Sequence, residues 1–218
     1  MLTEAIRKVQ RDAFRREERH DGAPACYYPR VNAHGRLSKR SDLLIVVDVQ
    51  NGFVNGHSRE VIRPIADFLQ SWLGRGGLAV ATRFINPPGS KWETLLHWEH
   101  LRDRAETDLV PAITAVIGPF IATGQATVID KCSYTSLTQD AISYIEEYAT
   151  RDVYVCGIDT DACVLKTAVD AFECGDLRPF VLTDLCASSA GEFAHNAGLL
   201  LASRYIGSGQ LIESGRLQ

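Results

Sequence analysis

The chain has 218 residues, 45% apolar and 23% charged, with a formal net charge of −4. That length allows one well-buried domain with an appended arm, and the composition is that of an ordinary globular protein rather than a disordered or collagen-like one. No apolar run approaches the 18 or so residues of a membrane span, and residues 1–40 have no apolar stretch of the secretory-signal kind, so no membrane partner and a cytoplasmic location are expected.

Residues 3–19 hold good helix formers behind Thr3, with sparse apolar positions at Ile6, Val9 and Phe14, and residues 20–41 are loop-like. This arm (1–41) is more basic than the remainder, but its basic residues alternate with Asp12, Glu17 and Glu18 and have no stacking aromatics among them, so nucleic-acid binding is not expected. A helix packed on a neighbouring surface, such as a second subunit, fits it better.

From residue 42 to 218 the pattern becomes that of one domain. Leu43-Leu44-Ile45-Val46-Val47 is an unbroken apolar run, as expected of a strand covered on both faces. Apolar positions at helical spacing from Val61 to Trp72 predict a helix ended by Gly74, Gly76 and Gly77. Strands are predicted at 78–82, 126–130, 153–157 and 180–183, with a short one near 210–212. Helices are predicted over 138–148, from Val164 to about Gly175 with Val164, Leu165, Ala168, Val169 and Phe172 inward, and from Ser189 towards Tyr205. Ser189 and Glu192 form a capping-box pattern. This alternation predicts an α/β sandwich around a mostly parallel sheet, in which ligands bind beyond the carboxyl ends of the strands.

Three chemically capable residues stand at such ends. Asp48 follows the first strand, where partial desolvation suits a carboxylate to accept a proton. Lys131 follows the third and is able to steady a developing anion. Cys163 sits where Val153-Tyr154-Val155-Cys156-Gly157 turns into an amphipathic helix, and N–H groups at a helix start favour a thiolate. Each residue alone has an ordinary alternative: a turn carboxylate, a surface lysine, a core thiol. With six cysteines, no Cys-x-x-Cys pair and no secretory signal, neither a disulfide framework nor a zinc site is favoured.

Over roughly residues 42–213 the chain resembles the isochorismatase-like cysteine hydrolases. The resemblance rests on Asp48-Val49-Gln50-Asn51-Gly52-Phe53, on Lys131 with Ser136 downstream, and on Gly157-Ile158-Asp159-Thr160-Asp161-Ala162-Cys163-Val164. It implies a three-layer α/β/α fold with a six-stranded sheet, and an Asp48–Lys131–Cys163 catalytic triad. It also implies a cis peptide at Ile158–Asp159, which would aim the N–H groups of Asp159 and Cys163 at an oxyanion, and assembly into dimers or tetramers. The activity implied is cysteine-dependent hydrolysis of a small amide, ureide or carbamoyl compound through a thioester.

Two departures narrow it. Nicotinamidases of that superfamily carry a metal-binding Asp-x-His after the second strand, where this chain reads Thr82-Arg83-Phe84-Ile85-Asn86-Pro87. Isochorismatases that cleave a vinyl ether lack the cysteine. No metal or other cofactor is therefore expected; His97 and His100 have no third ligand in view. Phe53, Arg83 and Tyr134 are candidate substrate-binding residues, Arg83 for a substrate carboxylate. The segment 91–100 is either a lid or an amphipathic surface helix. A non-catalytic binding or scaffolding member of the fold is the alternative, and a peroxide-reactive thiol paired with Cys132 a third reading.

Overall fold

The structure, a computed structural model, describes residues 42–148 and 150–217; the readings of 1–41 lie outside these. Six strands, β1 (Leu43–Val47), β2 (Leu78–Phe84), β3 (Ala126–Lys131), β4 (Asp152–Ile158), β5 (Arg178–Ala187) and β6 (Leu211–Ile212), form one sheet in the order β3-β2-β1-β4-β5-β6. Every pairing is parallel, so the sheet is wholly rather than mostly so. The chain winds outward from β1 through β2 to β3, then returns to β4 on the other side of β1. The switch point thus lies between β1 and β4, where such sheets open a crevice.

Helix α1 (Ile62–Gly74) follows β1. The short α2 (Lys91–Leu96) and α3 (Arg104–Thr107) precede α4 (Pro111–Ile121), which packs against α1 on one face of the sheet. Right-handed crossovers put α5 (Gln139–Glu147), α6 (Leu165–Glu173) and α7 (Glu192–Tyr205) on the other face, giving the three layers. β1 has no exposed residue, because it is central and both faces are covered. Helix α4 is hidden in the sequence by Gly118 and by Pro119 inside it, although Pro111 at its first turn is a favoured starter.

Two local expectations fail. Phe172 is exposed and Leu165 and Val169 are only half-buried, whereas Val164 and Ala168 are buried as expected and α6 also buries Thr167, Asp170 and Ala171. Ser189 does not cap α7: Gly191, at φ +99°, occupies that position without a side-chain bond, and the Ser189 hydroxyl is held by Asp159. No described helix is long and apolar enough to cross a membrane.

Candidate active site

Asp48 takes φ +49° directly after β1, which turns its side chain under the ends of the neighbouring strands. Its Oδ1 accepts from the Thr82 hydroxyl at 2.7 Å, and its Oδ2 lies 2.7 Å from Lys131 Nζ. Neither side chain of this ion pair has exposed surface. Behind it, the Thr82 and Ser136 hydroxyls lie 3.3 Å apart, and Ser136 N–H donates to Thr167 Oγ1 of α6 at 2.9 Å. Lys131 closes β3 rather than following it, and its ammonium also donates to the carbonyls of Ser133 (2.8 Å) and Tyr134 (3.1 Å).

Beyond β4 the Ile158–Asp159 peptide is cis, and a π-helical turn (Thr160–Val164) leads into α6. Ala162 and Val164 N–H both donate to the Asp159 carbonyl, which sets the turn. Cys163 therefore stands in a π turn preceding the helix, not within the helix's own first turn. Burial, and then the charge of Asp48, push its thiol well above the ordinary range, with the Lys131 charge opposing them. This reverses the sequence-based expectation of a lowered pKa, because desolvation outweighs the backbone N–H groups.

The thiol opens into a cavity of about 440 Å³. Phe53, Tyr134 and Asp159 line it, together with Asn55, which the sequence did not single out, and Ser189, which it singled out only as a helix cap. Asp159 is held by Ser189, whose N–H and hydroxyl donate to its two oxygens at 2.5 and 2.9 Å, while Asn55 Nδ2 donates to the Ser189 carbonyl. Burial raises the Asp159 carboxyl, and the Ser189 bonds oppose that rise. Thr160 Oγ1 meets His195 Nδ1 at 2.8 Å, so the histidine fastens α7 to the Cys163 turn.

The segment after β2 forms one wall. Asn86, buried, donates to the carbonyls of Trp98 and His100, each at 3.0 Å, and accepts from the Ser90 hydroxyl at 2.6 Å. Those bonds fold Lys91–His100 back so that Trp92, Leu96 and Trp98 face the cavity. Gln50, buried, anchors Phe84 of the same wall, its side chain bonded to both backbone groups of Phe84 and to the Thr107 carbonyl. Asn86 is thus fully engaged with the backbone and Ser90, and His100 pairs with Glu106 at 3.0 Å. Among the described residues no group of three His, Cys, Asp or Glu side chains fits a metal ion.

Arg83 does not join the site. The strand pleat that turns Thr82 and Phe84 towards Asp48 and the cavity turns Arg83 to the opposite face. There it grips both oxygens of its register partner Asp130, at 2.7 and 2.9 Å, and reaches Asp108. It lines a separate cleft with Thr127 and Tyr144, and its assignment to a substrate carboxylate is corrected accordingly.

An all-parallel α/β sandwich with an acid, a lysine and a cysteine gathered at its switch point defines a class of protein by fold and site together. The chain belongs to the isochorismatase domain family, whose model matches residues 42–208. Solved structures of the same fold include a nicotinamidase PncA from Bacillus subtilis (21% identity, 79% of this chain and 99% of that one, TM-score 0.71). An isochorismatase-like hydrolase from Alkaliphilus metalliredigens matches at 18% identity over 82% of this chain and 94% of its own, with TM-score 0.67. N-carbamoylsarcosine amidase from Thermoplasma acidophilum matches at 18% over 80% and 96%, with TM-score 0.65. No curated protein matches the sequence.

Proposed function

We propose that the protein is a cysteine-dependent amidohydrolase acting on a small amide, ureide or carbamoyl compound through a thioester. The observation that carries this reading is the wholly buried Asp48–Lys131 pair beside a thiol that opens into the cavity. Two of the similar structures are named for amide-cleaving enzymes, a nicotinamidase and a carbamoylsarcosine amidase, which supports the same reaction class.

At rest Cys163 is a neutral thiol, since burial disfavours the thiolate. Asp48 takes the S–H proton as sulfur attacks the substrate carbonyl carbon, so that charge passes from one buried anion to another. Lys131 holds Asp48 in place and offsets the negative charge throughout. The N–H groups of Asp159 and Cys163 receive the oxyanion. The C–N bond breaks, Asp48 returns its proton to the departing nitrogen, and ammonia or an amine leaves. Water then attacks the thioester with Asp48 again as base, releasing the acid or carbamate and restoring the thiol.

The test is ammonia release over a panel of small amides and ureides. Cys163→Ala and Asp48→Asn are each expected to lower kcat/KM by at least about a thousandfold, the scale on which a nucleophile or its base registers. Undiminished hydrolysis by Cys163→Ala would overturn the assignment. Saturable binding without turnover by wild type would favour a binding module instead.

A further inference from the structure

Among the described residues β3 pairs only with β2, so its other side is a free edge of the sheet. The opposite edge strand, β6, has just two residues. On the β2 side the Gln125 and Lys131 carbonyls accept from Ala79 and Ile85 N–H. The alternation of a parallel ladder then turns the backbone groups of Thr127 and Ile129 towards β2, and aims those of Ala126, Val128 and Asp130 outward. A row of outward N–H and C=O groups on a β-branched strand is a template for one more strand.

A cleft of about 530 Å³ runs along this edge. Thr127, Val128, Ile129 and Asp130 form one side of it; consecutive residues belong to opposite faces of a sheet, so all four meet only at the edge. Asp140, Ser143, Tyr144 and Glu147, one stripe of α5, form the other side. The Tyr144 hydroxyl, 3.0 and 2.9 Å from the Gly124 and Gln125 carbonyls, ties the helix to the chain entering β3. The cleft is acidic. Asp140 and Glu147 are exposed and make no ion pair among the described residues, while Arg83 is already taken by Asp130 and Asp108.

The stretch that precedes β1, outside the described residues, has the matching character. Residues 22–41 carry Arg30, Arg36, Lys39 and Arg40 and no Asp or Glu. Within that loop-like stretch Val31, Ala33, Gly35 and Leu37 alternate with Arg30, Asn32, His34 and Arg36, the two-residue period of a half-buried strand. The reach is sufficient as well. Leu44, Ala79 and Ala126 lie side by side in register, so the amino ends of β1 and β3 are level. A seventh strand beyond β3 would stand three strand spacings, about 14 Å, from β1. The six residue steps from Arg36 to Asp42 span up to about 20 Å. A strand that ends near Ala126 and then feeds β1 runs antiparallel to β3, a common arrangement for the edge of an otherwise parallel sheet.

We infer that residues 30–36 of the same chain lie along β3 as an antiparallel edge strand, with their basic side chains towards Asp140 and Glu147. The arm thereby covers the free edge of the strand that ends in Lys131.

Hydrogen exchange of single amides, followed by NMR on the full-length protein, tests this. The outward N–H groups of Val128 and Asp130 are expected to exchange at least about a hundredfold more slowly than in an open chain, as bonded ladder amides do. Thr127 and Ile129, bonded to β2, report that the sheet is intact. The variant Asn32→Pro with Ala33→Pro removes one N–H on each side of the segment, so a ladder bond is lost in either register. It is expected to release Val128 and Asp130 while Thr127 and Ile129 stay protected. Open-chain exchange of Val128 and Asp130 in the wild type would overturn the inference. Protection that survives the prolines would give the edge to another segment, and protection that fades on dilution would give it to a second copy; either result overturns it too.

Discussion

Asp48 and Lys131 make a contact that stability alone does not explain. Two charges without exposed surface forfeit their hydration, and in a buried pair the mutual attraction roughly cancels that cost. Removing one partner is different, because it strands the other. Lys131→Met is expected to destabilise the fold by about 3–5 kcal/mol, and the double variant Asp48→Asn with Lys131→Met to recover most of that while showing no hydrolysis. Denaturant midpoints beside ammonia release check both; a double variant no more stable than Lys131→Met would contradict the argument. The neighbouring thiol gives a pH signature. A raised pKa means that the thiolate gains population only above the ordinary thiol range, so Cys163 alkylation should climb with pH past about 9 without an earlier plateau. It should also lag behind the exposed Cys132 at neutral pH. A plateau reached below about 8, mapped by peptide, would mean that sulfur rests as the thiolate partner of Lys131. The three candidates were legible in sequence because each stands at or just beyond the end of a strand-like run, but the direction of the thiol's shift was not, since burial is a property of the assembled fold.

Between elements, α7 sits closely on the Cys163 turn. A Cβ on Gly198 would stand 2.7 Å from the backbone of Asp161, so helix and turn touch main chain to main chain. Gly157, at φ +127°, is a second such place, where a Cβ would meet the Val47 carbonyl at 2.1 Å. Alanine in a helix interior gains up to about 1 kcal/mol over glycine, whereas overpacking costs about 1–3 kcal/mol. Because the atoms in the way are backbone, the second effect wins. Gly198→Ala is expected to lower the denaturation midpoint, and to reduce kcat more than it raises KM, since the displaced turn carries the nucleophile. Unchanged stability and kcat would refute the close approach. The same region explains the Ser189 misreading: a Ser-x-x-Glu pattern is local, and a carboxyl on the cis-linked Asp159 30 residues away in sequence competes for the hydroxyl and holds it.

Across the whole molecule, the active-site candidates are far apart in the chain and close in space because β1 lies at the centre of the sheet. It pairs with β2 on one side and with β4, more than a hundred residues later, on the other. The alternation of apolar runs with amphipathic helices, and the chemical residues at strand ends, are one-dimensional patterns, so the amino-acid sequence by itself determined the α/β class, most strand positions and the resemblance to the family. What only the tertiary structure decided is which way polar side chains point and what meets them. Arg83 has a plausible binding role in sequence, but pleat and register hand it to Asp130. Phe84, one residue on, faces the cavity beneath a wall that Asn86 folds back over it. Burial periodicity is written along the chain; the partner of a charge depends on strands and loops that only folding brings beside it.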